Sequence, residues 1–263
     1  MSIMGYKNRR TAHALSAIGI VRGAKLADNA AKEKYELGMQ LPQASSIAPS
    51  SSEKMMNKPF AIDIDDVLGH MSAVLHPALN THTNQQLKIS DWHRFDIYKL
   101  YGISLDSFLG CIIENELLSK MPPCEGAKEA LDALKMAGAD VVLITSRGYY
   151  PNADQVTADW LDRLGMAYDD LIVVPEGTSK GEIAKSRYPR GFSVMVDDHA
   201  ANLDSMKEHG LVGQTILVDR PWNKHRDDYR FGINRFNSLS CYVNALKAES
   251  VPQRKSDLCT PAM

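Results

Sequence analysis

Asp63, Asp65 and Asp66 fall within four consecutive positions, directly after a short apolar run in the stretch FAIDIDDVLGH (60–70). Like charges this close repel and raise one another's pKa. A hard divalent cation, which takes carboxylate oxygens as ligands, gives the cluster a reason that packing does not. Other polar groups recur in similar settings. LITSR (143–147) supplies Thr145, Ser146 and Arg147, GTSKGEIAK (177–185) supplies Lys180, and VMVDD (194–198) ends in Asp197 and Asp198. Carboxylates, hydroxyls and fixed cations beside a metal are the equipment for gripping a phosphoryl group.

These groups need elements to bring them together. β-rich apolar runs occur at 60–64, 140–145, 170–174, 192–196 and 214–218, and helical patterns separate them at 125–138, 152–165, 181–186 and 200–210. Strands alternating with helices imply an α/β fold with a parallel sheet covered on both faces. In such sheets the chemistry collects at the carboxyl ends of the strands. The polar groups stand there, so Asp63 and Asp65 face a third carboxylate across the sheet and can hold Mg²⁺ with it. About 75 residues separate the first two runs, too many for one crossover. Residues 68–120 carry helical patterns and are expected to form a small helical cap over the site.

Outside residues 59–247 the composition changes. Residues 1–40 read as an amphipathic helical extension with seven Lys or Arg against three Asp or Glu. Residues 41–58 have the Ser/Pro-rich make-up of a linker, and 248–263 that of a polar, disordered tail. The extension's charge is spread rather than clustered, which disfavours a nucleic-acid-binding arm. With a net charge of −2 over 263 residues, nothing draws the chain to nucleic acid or an anionic membrane. Cys111, Cys124, Cys241 and Cys259 form no C-x-x-C pair, which argues against a zinc site or disulfide framework and fits a reducing, cytoplasmic setting. No apolar run approaches the ~20 residues needed to cross a bilayer.

The order DIDDV, LITSR, a lysine and VMVDD resembles the four motifs of the haloacid dehalogenase (HAD) superfamily of aspartate-nucleophile phosphatases, over roughly residues 59–222. Within it the chain looks most similar to the 5′(3′)-deoxyribonucleotidase (cytosolic type C nucleotidase) family, through the helical insert, MPPCEGAKEALDAL (121–134) and LVDRPWN (217–223). The resemblance implies a Rossmann-like HAD fold and a Mg²⁺-dependent phosphomonoesterase acting on nucleoside monophosphates, deoxy forms foremost. Asp63 would be the nucleophile that forms an aspartyl-phosphate, and Asp65 the general acid and base. Thr145 and Lys180 would hold the phosphoryl oxygens, with Ser146 and Arg147 binding substrate. Asp63, Asp65 and Asp198 would hold the metal, and Asp197 would orient Asp198. A small phosphorylated molecule is the expected partner, and a homodimer stays open. Two other functions are compatible with the motifs: a polynucleotide 3′-phosphatase, and a non-catalytic binding module on the same fold.

Several residues admit two readings. Asp66 stands where the superfamily usually has glycine, and is either a turn residue or a further metal ligand. Arg147 is either a phosphate clamp or a partner in a surface ion pair. Trp92, Phe95 and Tyr98 either stack on a nucleobase or fill the insert's own core, the second being favoured. His76, His82 and His93 match no zinc spacing. His199 reads as a helix N-terminal residue beside the site, and Trp222 and Asn223 as pins where the chain leaves the sheet.

Overall fold

The computed structural model describes residues 58–224 and 234–250. The expected extension, most of the linker and all but the start of the tail lie outside them. Six strands form one parallel sheet in the order β3-β2-β1-β4-β5-β6. They are β1 (Phe60–Ile62), β2 (Val141–Thr145), β3 (Asp170–Val173), β4 (Phe192–Asp197), β5 (Val212–Val218) and β6 (Asn234–Phe236). The first five occupy the apolar runs of the sequence. β6 was not among the expected strands: NRF is three residues long, has one apolar side chain, and lies at the sheet edge.

The central strands are apolar on both faces because helices cover both. Ile62, Leu143, Val196 and Ile216 join the core on one side, and Ala61, Val142, Ile144, Met195 and Leu217 the core on the other. Continuous apolar strands of this kind are what a doubly covered parallel sheet requires.

The span between β1 and β2 is helical, with α1 (Met71–Thr83), α2 (Ile97–Leu100), α3 (Leu105–Glu114), α4 (Leu117–Lys120) and α5 (Ala127–Met136). Trp92 is fully buried, edge-on to His76 and Tyr101 and 6.1 Å from Trp222. It fills a core, whereas Phe95 is 48% exposed. His76 and His93 bond to main-chain oxygens nearby, and His82 to Ser107.

Four further helices are α6 (Ala153–Leu164), α7 (Lys180–Arg187), α8 (Ala200–Glu208) and α9 (Leu239–Ser250). α9 was not expected, yet it buries Leu239, Tyr242 and Val243 on one face. Among the described residues no helix is long and apolar enough to cross a membrane.

Candidate active site

The carboxyl ends of β1, β2 and β4 converge. Asp63 follows β1, and its N–H donates to the Val196 carbonyl of β4 at 2.9 Å. Thr145 closes β2 and Asp197 closes β4. Lys180 is the first residue of α7, where the sequence S-K-G-E builds a capping box: Ser179 Oγ accepts from Glu182 N, and Glu182 accepts from Ser179 N. Gly181 lets α7 lie against α8, since a Cβ there would stand 2.5 Å from Ser205 Oγ and 2.9 Å from the Ser205 carbonyl. Cap and close approach together aim Lys180 into the sheet end.

Lys180 is buried and donates from Nζ to Asp63 Oδ1 at 2.6 Å and to Asp197 Oδ2 at 2.7 Å. Burial alone would lower its pKa, but the two carboxylates raise it, so the ammonium stays charged. Asp63, Asp197 and Asp198 each bring a carboxylate oxygen within 4.8 Å of the others, all three buried. Burial pushes the Asp63 carboxyl up to about 7; Lys180 opposes the shift, and Asp197 and Asp65 add to it. Asp198 is raised well above the usual carboxylate range by burial and by Asp197, Asp63 and Asp66, against a lowering bond from Trp222.

Three ionised carboxylates against one ammonium would leave two buried negative charges uncompensated. A divalent hard cation supplies the missing charge, and the donors are all oxygen, so the residues fit Mg²⁺.

Asp65 is brought to the same cavity but not to the same partners. Arg147 holds its carboxylate with Nη2 to Oδ1 at 2.7 Å and Nε to Oδ2 at 2.9 Å, and Thr145 Oγ1 lies 3.5 Å from Oδ2. The expected metal set of Asp63, Asp65 and Asp198 is therefore assembled in part, with the Asp65 carboxylate drawn to the guanidinium and Asp197 completing the acidic cluster. Arg147 is no surface residue: its side chain is closed to solvent. Ser146 is exposed and borders the cavity.

Asp66 has φ +55°, the left-handed conformation that glycine takes more easily. Its carboxylate turns toward α1, accepting from Ser72 N at 3.1 and 3.2 Å and from Ser72 Oγ at 2.6 Å. Arg220 Nη2 donates to its main-chain oxygen. The turn reading thus describes its contacts. Burial raises its carboxyl to about 6 despite the Ser72 bonds.

Trp222 and Asn223 do more than the sequence suggested. Trp222 Nε1 donates to Asp198 Oδ2 at 2.7 Å, and Asn223 Nδ2 donates to the carbonyls of Asp198 and Val218, both at 2.8 Å. Only the stretch LVDRPWN signalled them, and nothing in it names Asp198 as their partner. Asp197 accepts from His199 N and Asn202 Nδ2 as well as from Lys180.

These groups open onto a cavity of about 340 Å³. Asp63, Asp65, Lys180 and Asp198 line it, and so do Phe95, Tyr98 and Phe108 of the insert. Phe95 lies flat on His199, with ring centroids 3.5 Å apart and an angle of 5° between planes.

The chain is similar to several known proteins. "Putative nucleotidase YqfW" of Bacillus subtilis is 28% identical over 166 residues, 62% of this chain and 81% of that protein. A Chlorobaculum tepidum protein named as a 5′(3′)-deoxyribonucleotidase, with the same qualifier, is 28% identical over 123 residues, covering 45% of this chain and 55% of its own length. Among solved structures, a haloacid dehalogenase-like hydrolase of Streptococcus pneumoniae superposes with TM-score 0.54 at 12% identity, over 72% of this chain and 98% of that one. A Clostridium acetobutylicum protein described as a predicted phosphatase gives TM-score 0.56 at 12% identity, over 73% and 99%. The structural likenesses establish the fold. The family model for "5′ nucleotidase, deoxy (Pyrimidine), cytosolic type C protein" matches residues 60–236, well over half of the chain. The chain therefore belongs to this nucleotidase family and is a phosphatase-type hydrolase with the HAD fold.

Proposed function

We propose that the protein is a Mg²⁺-dependent phosphomonoesterase that hydrolyses nucleoside monophosphates, deoxy forms preferred, through an aspartyl-phosphate on Asp63. The observation that carries this reading is the mixed lining of the cavity. It brings a buried carboxylate–ammonium cluster short of two positive charges together with aromatic rings that suit a flat, apolar group. A phosphate linked to a nucleoside has that polarity.

Asp63 and Asp198 would hold the metal, which supplies positive charge to the phosphoryl oxygens and keeps Asp63 ionised. Asp63, an oxygen nucleophile, attacks phosphorus, and the P–O bond to the sugar breaks. Asp65 gives its proton to the leaving alkoxide. It then takes one from water, whose oxygen attacks the phosphorus, releasing phosphate and restoring Asp63. Lys180 and Thr145 stabilise the phosphoryl oxygens, and Ser146 borders their path. Arg147 orients Asp65 rather than gripping phosphate, since its donors go to Asp65, Thr157 and Met121. Phe95 and Tyr98 contact the base.

A panel of phosphomonoesters with Mg²⁺ tests the reading. Deoxynucleoside monophosphates should give the highest kcat/KM. Preference for sugar phosphates, or for a 3′-phosphorylated oligonucleotide, would overturn it.

A further inference from the structure

Among the described residues, Asp63, Asp197 and Asp198 use their carboxylate oxygens unequally. Asp197 has both committed, Oδ1 to His199 N and Asn202 Nδ2 and Oδ2 to Lys180 Nζ and Asn202 Nδ2. Asp63 commits Oδ1 to Lys180, and Asp198 commits Oδ2 to Trp222. Asp63 Oδ2 and Asp198 Oδ1 have no donor among the described residues.

An indole N–H is a donor only and has no atom with which to ligate a cation, so it can block an oxygen without adding a ligand. It is also held in place. Trp222 is buried, packs 6.1 Å from Trp92, and sits in a 3-10 turn begun by Pro221. Its neighbour Asn223 is tied to the main chain of Asp198 and Val218 and accepts from Arg220 N.

Cations differ in what they ask of a carboxylate. Mg²⁺ demands a near-ideal octahedron of short bonds, usually one oxygen per carboxylate. Ca²⁺ takes six to eight oxygens and readily accepts both oxygens of one carboxylate. We propose that the Trp222 indole N–H, by occupying Asp198 Oδ2, confines Asp198 to one-oxygen ligation and so makes the site discriminate against Ca²⁺ in favour of Mg²⁺. Trp222 is then a positioning residue that sets cation specificity. The inference rests on the metal-dependent reading above.

The test uses the full chain and reads cation binding rather than turnover. Mn²⁺ bound to the protein is followed by electron paramagnetic resonance and displaced by Mg²⁺ or Ca²⁺. Three proteins are compared: wild type, Trp222→Phe, and a protein in which Trp222 is replaced by β-(3-benzothienyl)alanine, which keeps the ring shape but has sulfur in place of N–H. In both variants Ca²⁺ should gain on Mg²⁺ as a competitor by about tenfold, the low end of what loss of a bond to a metal ligand changes. An unchanged ratio in the benzothienyl protein overturns the proposal, even if Trp222→Phe shifts it, because packing and not the N–H would then be responsible. Wild-type protein that binds no Mn²⁺ would instead overturn the metal-dependent reading itself, and this inference with it.

Discussion

Arg147 grips Asp65 with two hydrogen bonds, at 2.7 and 2.9 Å, from a position closed to solvent, while Asp65 keeps 30% of its side chain exposed. The buried guanidinium fixes the plane of a carboxylate that still reaches the cavity. A lysine would keep the charge but not the fork. Arg147→Lys should therefore lower kcat on a nucleoside monophosphate by roughly 10²-fold, the cost of misplacing a reacting group, with KM changed little. Steady-state kinetics decide the point. A large rise in KM at unchanged kcat would mean that Arg147 binds the substrate phosphate.

Asp66 should make stability pH-dependent. Its carboxyl is raised from the ordinary 3.8 to about 6 by burial, so between those values the native state holds a proton that the unfolded chain has lost. That stabilising contribution is present below the unfolded value and is lost as pH rises through about 6. Asp66→Asn keeps an acceptor for Ser72, tolerates positive φ and does not titrate. Relative to wild type, the variant should gain roughly 2 kcal/mol between pH 4.5 and 7.5, measured by urea unfolding without divalent cations. A difference that stays constant with pH would show that Asp66 does not titrate with the fold.

Asp63→Asn should preserve the fold and abolish turnover, by roughly 10⁴-fold or more. The amide lacks the attacking charge but keeps an oxygen near Lys180. Chelation with EDTA should silence the wild-type enzyme, and adding Mg²⁺ back should restore it. Adding Mg²⁺ should also raise the wild-type Tm, because it compensates charge buried among Asp63, Asp197 and Asp198. Undiminished turnover in EDTA would exclude a metal-dependent reaction.

The strands and the convergence of Asp63, Thr145, Lys180 and Asp198 were legible in the sequence because both depend on local pattern. An apolar run of four to six residues announces a buried strand, and its carboxyl end announces where polar groups meet. β6 was not legible, since three edge residues with a single apolar side chain, Phe236, carry no apolar period. Nor was the pairing of Asp65 with Arg147, 82 positions apart, or of Trp222 with Asp198, 24 positions apart. Such bonds depend on register and rotamer, which composition and spacing do not encode. Asp66 was half legible: an aspartate in place of glycine signalled a strained turn, but not that its carboxylate would bond to Ser72 of α1.

Removing residues 1–56 should leave a folded, active enzyme. The sheet is joined from Lys58 onward, where Ser193 donates from Oγ to the Lys58 carbonyl and from N to the Pro59 carbonyl. kcat/KM on a mononucleotide should stay within about twofold, as for a change remote from the site. A truncated protein that is insoluble or inactive would place the domain boundary further toward the N-terminus.

Asp63 and Asp65 both line the cavity, yet their substitutions should have different consequences. Asp65→Asn leaves Asp63, Lys180 and Asp198 in place, but removes the proton donor of the first step and the base of the second. A p-nitrophenyl ester needs little protonation of its leaving group, so the variant should lose less on it in the first step than on a nucleoside monophosphate. Phosphorylation of Asp63 then outlives its formation, because no carboxylate remains to activate water. Rapid mixing with ³²P-labelled p-nitrophenyl phosphate, followed by acid quench, should trap label on Asp63 in the Asp65→Asn protein and far less in wild type. Peptide mapping locates it. If the variant binds substrate but no label reaches Asp63 with any leaving group, covalent catalysis is excluded, and direct attack of water on the phosphate becomes the better account.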